Sequence, residues 1–472
     1  MVPPFSTRPE HYDFVVIGSG PAGQKAAICA AEAGKRALVV ERERAVGGAC
    51  VHHGTIPSKT LRETVVALRG LSRRSAGAVT AQATSEGTEV AALMTRLEDV
   101  VTGHEEYIAA QLRRADVAIA RAHASFVTAH ELELKTQTGE RRRVTAGHVI
   151  LAVGSRPREP KGVAVDHERI LDSDSILSMT YLPRSLAVLG AGVVASEYAS
   201  IFAALGVEVT VIDTNSRPMP FLDPELTTAY SKQLESLGGK YLGERKIVEV
   251  RHHGVAQCEV RLEDGTVIVA DKVLSALGRV ANVEGLNLEV ADVRVTARGL
   301  VAVDEHCRTN VKHIYAVGDV GGPPALASSA MEQGRRAVRH ALGEENPSGP
   351  GGALLPFCAY TIPEIASVGL SESEAIDRHG GAVVGRAPYS ELARGHIAAL
   401  DAGMIKLVAD PAGRKLLGVQ IVGDGASELV HVGQMALLAG FDVDMFVEAT
   451  FNFPTLAEGY RVAALDVLKR RE

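Results

Sequence analysis

One local pattern occurs twice in this chain, and it limits the fold more than any other feature. An apolar run, Phe14 to Ile17, leads into Gly18-Ser-Gly20-Pro-Ala-Gly23. An apolar-periodic stretch then reaches Ala33, and a second apolar run, Ala37 to Val40, ends at Glu41. Much later, Leu186 to Leu189 leads into Gly190-Ala-Gly192-Val-Val-Ala195, a periodic stretch reaches Leu205, and Glu208 to Ile212 ends at Asp213. In both copies the acidic residue stands 21 positions after the second glycine. Strand, glycine turn, helix, strand and acid together make the βαβ unit that cradles a dinucleotide. The first glycine makes the tight turn, the second lets backbone approach a pyrophosphate, and the third position packs helix on strand, where Ala195 is a tolerated variant. The pyrophosphate sits on the helix N-terminus, where free N–H groups and the helix dipole favour negative charge. The acid accepts hydrogen bonds from a ribose. A lone glycine triplet is weak evidence, but two in the same context with the same acidic spacing are strong. The pattern predicts an α/β chain with two Rossmann-like nucleotide-binding domains.

A chain of 472 residues is too long for one hydrophobic core, and 46% hydrophobic content lets each of several domains bury its own. Three strand-like runs between Phe126 and Leu151, separated by turns at Thr138-Gly-Glu140 and Thr145-Ala-Gly147, predict a small meander. Residues 71–89 read as a loop between helices, and the Gly/Pro-rich stretch 346–353 as a linker. Beyond it, Gly403 to Val422 alternates as a hairpin around Asp410 to Gly413, and Ala426 to Leu438 has helical character, which predicts a separate C-terminal α+β domain. The expected division is 1–155 and 283–350 as two parts of one nucleotide domain, 156–282 as the other, and 351–472 as the C-terminal domain. Net charge is -7 with both signs interspersed, so no nucleic-acid partner is expected. The opening MVPPFSTRPEHYDF has no apolar run, so no signal peptide is expected, and no stretch of about 18 residues suits a membrane span. Five scattered cysteines fit reduced thiols in a cytoplasm, each a small packed residue apart from Cys50.

Residues Gly47 to Lys59, GGACVHHGTIPSK, resemble the active-site loop of the flavin disulfide reductases, the two-dinucleotide-binding-domain flavoproteins. Leu151 to Ser155, Tyr315-Ala-Val-Gly-Asp-Val320, the helix start at Ala327 and Tyr360-Thr-Ile-Pro-Glu364 are similar to further segments of that family, so the resemblance covers essentially the whole chain. It implies FAD held by Gly18, Gly20, Gly23, Glu41, Arg42, Gly48, Cys50, Lys59, Gly154, Asp319 and Ala327. It implies NAD held by Gly190, Gly192, Ala195, Glu197, Asp213 and Gly278. Lys59 and Glu197 would be the catalytic ion pair beside the flavin. The C-terminal domain would form homodimers, each copy helping to complete its partner's flavin pocket.

The resemblance breaks at the redox chemistry. Family members carry two cysteines five positions apart; here Cys50 fills the first position and Thr55 the second. A threonine hydroxyl cannot form a disulfide, nor act as a thiolate. The family's histidine base, before a C-terminal proline, is replaced by Phe453, while its Glu458 partner remains. Both halves of the dithiol machinery are therefore missing together. The same threonine, and segments similar to Asp172–Ser178 and Phe451–Glu458, mark the family's transhydrogenase branch. That branch implies FAD-dependent hydride transfer between pyridine nucleotides without an active-site disulfide. Two alternatives stay open: an NADH-dependent reductase of a quinone or other acceptor, and an FAD-binding redox sensor or assembly protein with slow turnover. Asp213 suits a ribose 2′-hydroxyl and would repel the 2′-phosphate of NADP; the nearest downstream cation is Arg217. His52 and His53 adjoin Cys50, but nothing completes a ligand set, so no metal is expected.

Overall fold

The computed structural model describes residues 9–74, 90–254, 256–344, 354–400 and 402–471. The expected linker at 346–353 and most of the expected loop at 71–89 fall outside these residues. Positions 71–74 are not loop but the end of the helix Thr55–Arg74. The chain divides into two compact units, one comprising 1–58, 95–158 and 278–347, the other 59–94, 159–277 and 348–472.

The first unit is built on a seven-stranded sheet. Glu10–Ile17 pairs in parallel with Ala37–Glu41 on one side and with Arg141–Leu151 on the other. The sheet continues through Ala118–Arg121 at one edge, and Ile314–Ala316 also pairs with Arg141–Leu151. A meander is present, but its layout differs from the expected one: His123–Phe126, Glu131–Lys135 and Arg141–Leu151 are joined antiparallel, so the first strand ends where the expected runs begin, and Thr145 to Gly147 continues the last strand instead of turning. Its last strand is long enough to serve both the meander and the parallel sheet. The helices Pro21–Glu32 and Ala327–Ala341 pack face to face through small residues. A methyl on Gly334 would lie 2.2 Å from the carbonyl oxygen of Ala22. The sheet strands carry β-branched residues on both faces because both are covered, as parallel sheets require.

The second unit contains the second glycine fingerprint on a five-stranded parallel sheet, ordered Lys240–Leu242, Glu208–Ile212, Ser185–Leu189, Lys272–Ser275, Ile170–Asp172. Its C-terminal part is a five-stranded antiparallel sheet with Ile365–Gly369, Leu416–Val422 and Met404–Ala409 at its centre. The helices Ala426–Ala439 and Gly459–Arg470 cover it. The two parts share apolar packing, with Ile365 and Val422 joining the cluster around Tyr198 and Leu226. In the same unit, Leu61 and Val65 pack on Ile201 and Ala204. That apolar seam sets the helix carrying Lys59 alongside Val193–Ala204, which carries Glu197.

Candidate functional site

The two fingerprint turns share one geometry. Gly18 and Gly190 have φ of +102° and +93°, and a methyl would lie 2.3 Å from the Ala152 carbonyl oxygen and 2.8 Å from that of Ala276. Only glycine fits there. At Gly23 a methyl would lie 2.0 Å from the Gly18 oxygen, whereas the second copy buries the methyl of Ala195 completely. Gly20, Gly154 and Gly192 differ: nothing lies within 4 Å of a methyl placed on them. Those positions open onto space. Gly48 packs its backbone on Gly20, where a methyl would come 2.8 Å from the Gly20 Cα.

The acidic residues close the same turns. Glu41 is buried; its Oε2 accepts the Ser19 N–H at 2.9 Å and hydroxyl at 2.6 Å, and its Oε1 accepts the Glu43 N–H at 3.0 Å. Asp213 repeats this, Oδ2 accepting the Ala191 N–H at 2.8 Å and Oδ1 the Asn215 N–H and side-chain amide at 2.7 Å. Each carboxylate therefore ties the glycine turn to the end of the second strand. With about four lone-pair sites, each retains capacity for a ribose hydroxyl.

The groups present suit a dinucleotide on each turn. The helices Pro21–Glu32 and Val193–Ala204 start at glycine N-caps without a side-chain cap, and Ala327–Ala341 starts at Leu326, also uncapped. Uncapped N–H groups at helix starts are anion sites. In the first turn of Ala327–Ala341, the Ser329 hydroxyl is buried without a partner among the described residues. Asp319 Oδ2 accepts the Ser155 hydroxyl at 2.6 Å, and Ser155 in turn accepts Arg279 Nε at 2.8 Å. Arg42 is exposed and pairs with Glu43 at 3.2 Å. Gly278 falls in the first unit, with φ of +104° and its carbonyl accepting the Arg158 N–H at 3.0 Å.

Lys59 and Glu197 meet. Lys59 Nζ donates to Glu197 Oε2 at 2.6 Å, and Glu197 is 6% exposed against 23% for Lys59. The other carboxylate oxygen accepts the Tyr360 N–H at 2.8 Å, and the ammonium lies 5.0 Å from the Tyr360 ring centroid. One turn along the same helix, Arg62 pairs with Glu364 at 2.9 Å, and Glu364 accepts the Ser427 N–H and hydroxyl. The helix thus presents two cations, each held by a carboxylate.

Cys50 lies in the short helix Gly48–His52, and Thr55 opens the next one. No disulfide forms among the described residues. Burial pushes the Cys258 and Cys307 thiols up to about 11 and Cys358 to about 12, which keeps them protonated. The His52 ring is used within its own unit: Nδ1 faces Glu105 at 3.1 Å and Nε2 the Val46 carbonyl at 3.1 Å. Among the described residues no group of three or more His, Cys, Asp or Glu is placed to hold a metal. Phe453 is 66% exposed, and no described helix is long and apolar enough to cross a membrane.

Residues 12–334 match the pyridine nucleotide-disulphide oxidoreductase model, and 355–464 match the dimerisation domain of the same family. The chain belongs to the pyridine nucleotide-disulphide oxidoreductase family. It is 43% identical over 460 residues to a protein of Mycobacterium bovis (strain BCG / Pasteur 1173P2) named soluble pyridine nucleotide transhydrogenase, covering 97% of both chains. It is 38% identical over 467 residues to one so named from Photobacterium profundum, covering 98% of both. Among solved structures, LpdA from Mycobacterium tuberculosis superimposes with a TM-score of 0.87 at 27% identity, covering 97% of this chain and 99% of that one. The HOCl-induced flavoprotein disulfide reductase of Escherichia coli shares the fold, with a TM-score of 0.86 at 23% identity, covering 96% of this chain and 99% of that one.

Sequence reasoning missed Ser19, Ser155, Arg279, Tyr360 and the Arg62–Glu364 pair. Ser155 stood at the end of a quoted motif, and Tyr360 at the start of another. The partners of Ser155, Tyr360 and Arg62 are more than a hundred positions away, and no spacing rule reaches that far.

Proposed function

We propose that this family member is an FAD-dependent oxidoreductase that moves hydride between pyridine nucleotides without an active-site disulfide. The observation that carries this reading is Thr55, standing where a second thiol would be, in a chain that keeps both dinucleotide turns and the Lys59–Glu197 pair. The names of its relatives support the same reaction. FAD would lie on the turn of residues 1–155 with 283–350, and the pyridine nucleotide on the turn of 156–282. The region 351–472 would pair two copies into a homodimer. The cytoplasm suits a protein with reduced cysteines and freely exchanging nucleotides.

When bound, FAD supplies the two-electron relay between one nucleotide and the next. The protein's part is positioning. The uncapped helix starts after Gly20 and Gly192 hold the pyrophosphates, and Glu41 and Asp213 orient the riboses. Asp319, fixed by Ser155 and Arg279, and the start of the helix at Ala327 hold the FAD. Lys59 offers a fixed positive charge to the charge that develops on reduction. Glu197 stops the ammonium from swinging away. Phe453, where the family has a histidine, moves no proton, and none is needed when no thiol is cycled.

Asp213 favours a second reading, an NADH-dependent reductase of a quinone or other acceptor, because its charge opposes a 2′-phosphate. Steady-state kinetics on the purified FAD-loaded protein separate the two. The proposed function requires NADH oxidation to be coupled to thio-NAD and NADP far better than to menadione. Turnover with menadione alone would replace it with the second reading.

A further inference from the structure

Resting on that reading, the second nucleotide turn poses a charge problem. A transhydrogenase must accept an adenosine ribose that bears a 2′-phosphate as well as one that does not, yet Asp213 is clamped where that ribose lies. Arg217, the nearest cation in sequence, is committed to its own loop. It donates to the Leu222 carbonyl at 3.0 Å, the Thr227 hydroxyl at 2.9 Å and the Pro220 carbonyl at 2.6 Å.

A second cation enters from the neighbouring strand. After Lys240–Leu242 the chain folds back along residues 213–216. The Asp213 N–H donates to the Leu242 carbonyl at 3.1 Å, the Arg245 N–H to the Asp213 carbonyl at 2.9 Å, and the Glu244 N–H to the Asn215 carbonyl at 3.1 Å. The Tyr241 hydroxyl adds a bond to the Asn215 carbonyl at 2.8 Å. Gly243 makes the approach possible: a methyl there would lie 2.8 Å from the Asn215 oxygen and 3.1 Å from that of Ser216. Arg245 is therefore one peptide hydrogen bond from Asp213, and its long side chain is half exposed. The guanidinium pairs with the exposed Asp264 at 3.3 Å. An exposed pair of this kind is screened and easily exchanged. Arg217 could be freed only by undoing the loop it holds.

We propose that Arg245 is the residue that recognises the 2′-phosphate of NADP, exchanging Asp264 for the phosphate dianion. A guanidinium suits this because its fork can bind two phosphate oxygens at once. Asp213 then sets the preference for NAD, and Arg245 makes NADP tolerable. Discrimination between the two nucleotides is divided between the loops that follow two neighbouring strands, Glu208–Ile212 and Lys240–Leu242.

The test titrates 2′,5′-ADP and 5′-AMP, which differ only by the 2′-phosphate, into the FAD-loaded parent, Arg245→Gln and Arg217→Gln. Arg245→Gln is expected to weaken 2′,5′-ADP about tenfold or more, with 5′-AMP binding and melting temperature unchanged. Arg217→Gln is expected to melt lower and to weaken both probes alike. Parental 2′,5′-ADP affinity in Arg245→Gln, selective loss in Arg217→Gln, or a parent that does not detectably bind 2′,5′-ADP would each overturn the assignment. Hydride transfer from NADH to thio-NAD in the same preparations needs no 2′-phosphate, so it judges the transhydrogenase reading separately.

Discussion

Single side chains decide what this scaffold can do. With the Thr55 hydroxyl in place of a thiol, Cys50 has no second thiol at that position for dithiol exchange. Cys50→Ser is accordingly expected to leave nucleotide-driven turnover nearly intact. A loss of about a hundredfold with FAD still bound would show a chemical role, such as a sulfenate step. Lys59→Met is expected to be far worse. It strands the Glu197 carboxylate, 6% exposed, with only the Tyr360 N–H among the contacts described above. Breaking a buried pair costs ~3–5 kcal/mol, and with Lys59 partly exposed the lower end applies. FAD content and melting temperature measure the structural share, and the stopped-flow rate of reduction by NADH measures the chemical share. A variant reduced at the parental rate would remove Lys59 from the mechanism. Lys59 and Glu197 were legible in the sequence because motifs mark both. The clamp that Glu41 and Asp213 exert on their own glycine turns was not, since spacing names a ribose partner but not a backbone one.

At the scale of elements, the two βαβ units look alike in sequence but differ in tolerance. Gly23→Ala would push a methyl to 2.0 Å from a carbonyl, so the helix Pro21–Glu32 must shift; FAD loss or a lower melting temperature should follow. Ala195→Gly removes only a buried methyl and should keep nucleotide binding, at a cost of about 1 kcal/mol. Equal effects of the two changes would mean that the turns are equivalent after all. A second contrast lies where the helix Pro224–Ser236 meets the C-terminal sheet. Asp223 caps that helix through the Glu225 N–H and also accepts Lys406 Nζ at 2.8 Å. Lys406 is 1% exposed and reaches Glu225 at 2.6 Å and Glu372 at 2.7 Å as well. Burial alone would lower its pKa, but the three carboxylates hold it above the usual lysine value. The Arg386 hydrogen bonds, with help from Lys406, hold Glu225 down to about 2. A carboxyl depressed in this way contributes stability above its unfolded value near 4.5, and loses it as pH falls towards 2. Melting temperature should therefore drop over that window, and Glu225→Gln should flatten the dependence. An unchanged acid profile in Glu225→Gln would exclude the network as its source. Both glycine turns and the C-terminal hairpin were legible because period and turn residues are local; the meander was legible only in outline, because Thr145 to Gly147 reads as a turn but continues the strand Arg141–Leu151. This network was not, because Lys406 in a strand reads as an exposed position until the helix cap opposite is known.

On the scale of the whole molecule, the chain keeps the parts that bind two dinucleotides and lacks the parts that cycle a dithiol. The first unit gathers segments from three stretches of sequence, and the second places residues 159–277 with 348–472. Repeated fingerprints announced two nucleotide domains. Nothing local in the chain announced that the helical segment after Ser58 belongs with the second unit, because its apolar partners Ile201 and Ile362 are far away in sequence. Anaerobic titration of the FAD-loaded protein with NADH, followed by absorbance and then by addition of lipoamide or thio-NAD, tests the missing dithiol most directly. The expected result is bleaching of the flavin by one equivalent of NADH without a long-wavelength thiolate charge-transfer band, and rapid recovery of colour with thio-NAD but not with lipoamide. A long-wavelength band on partial reduction, or recovery driven by lipoamide, would mean that Cys50 has found a redox partner and that hydride does not travel through the flavin alone.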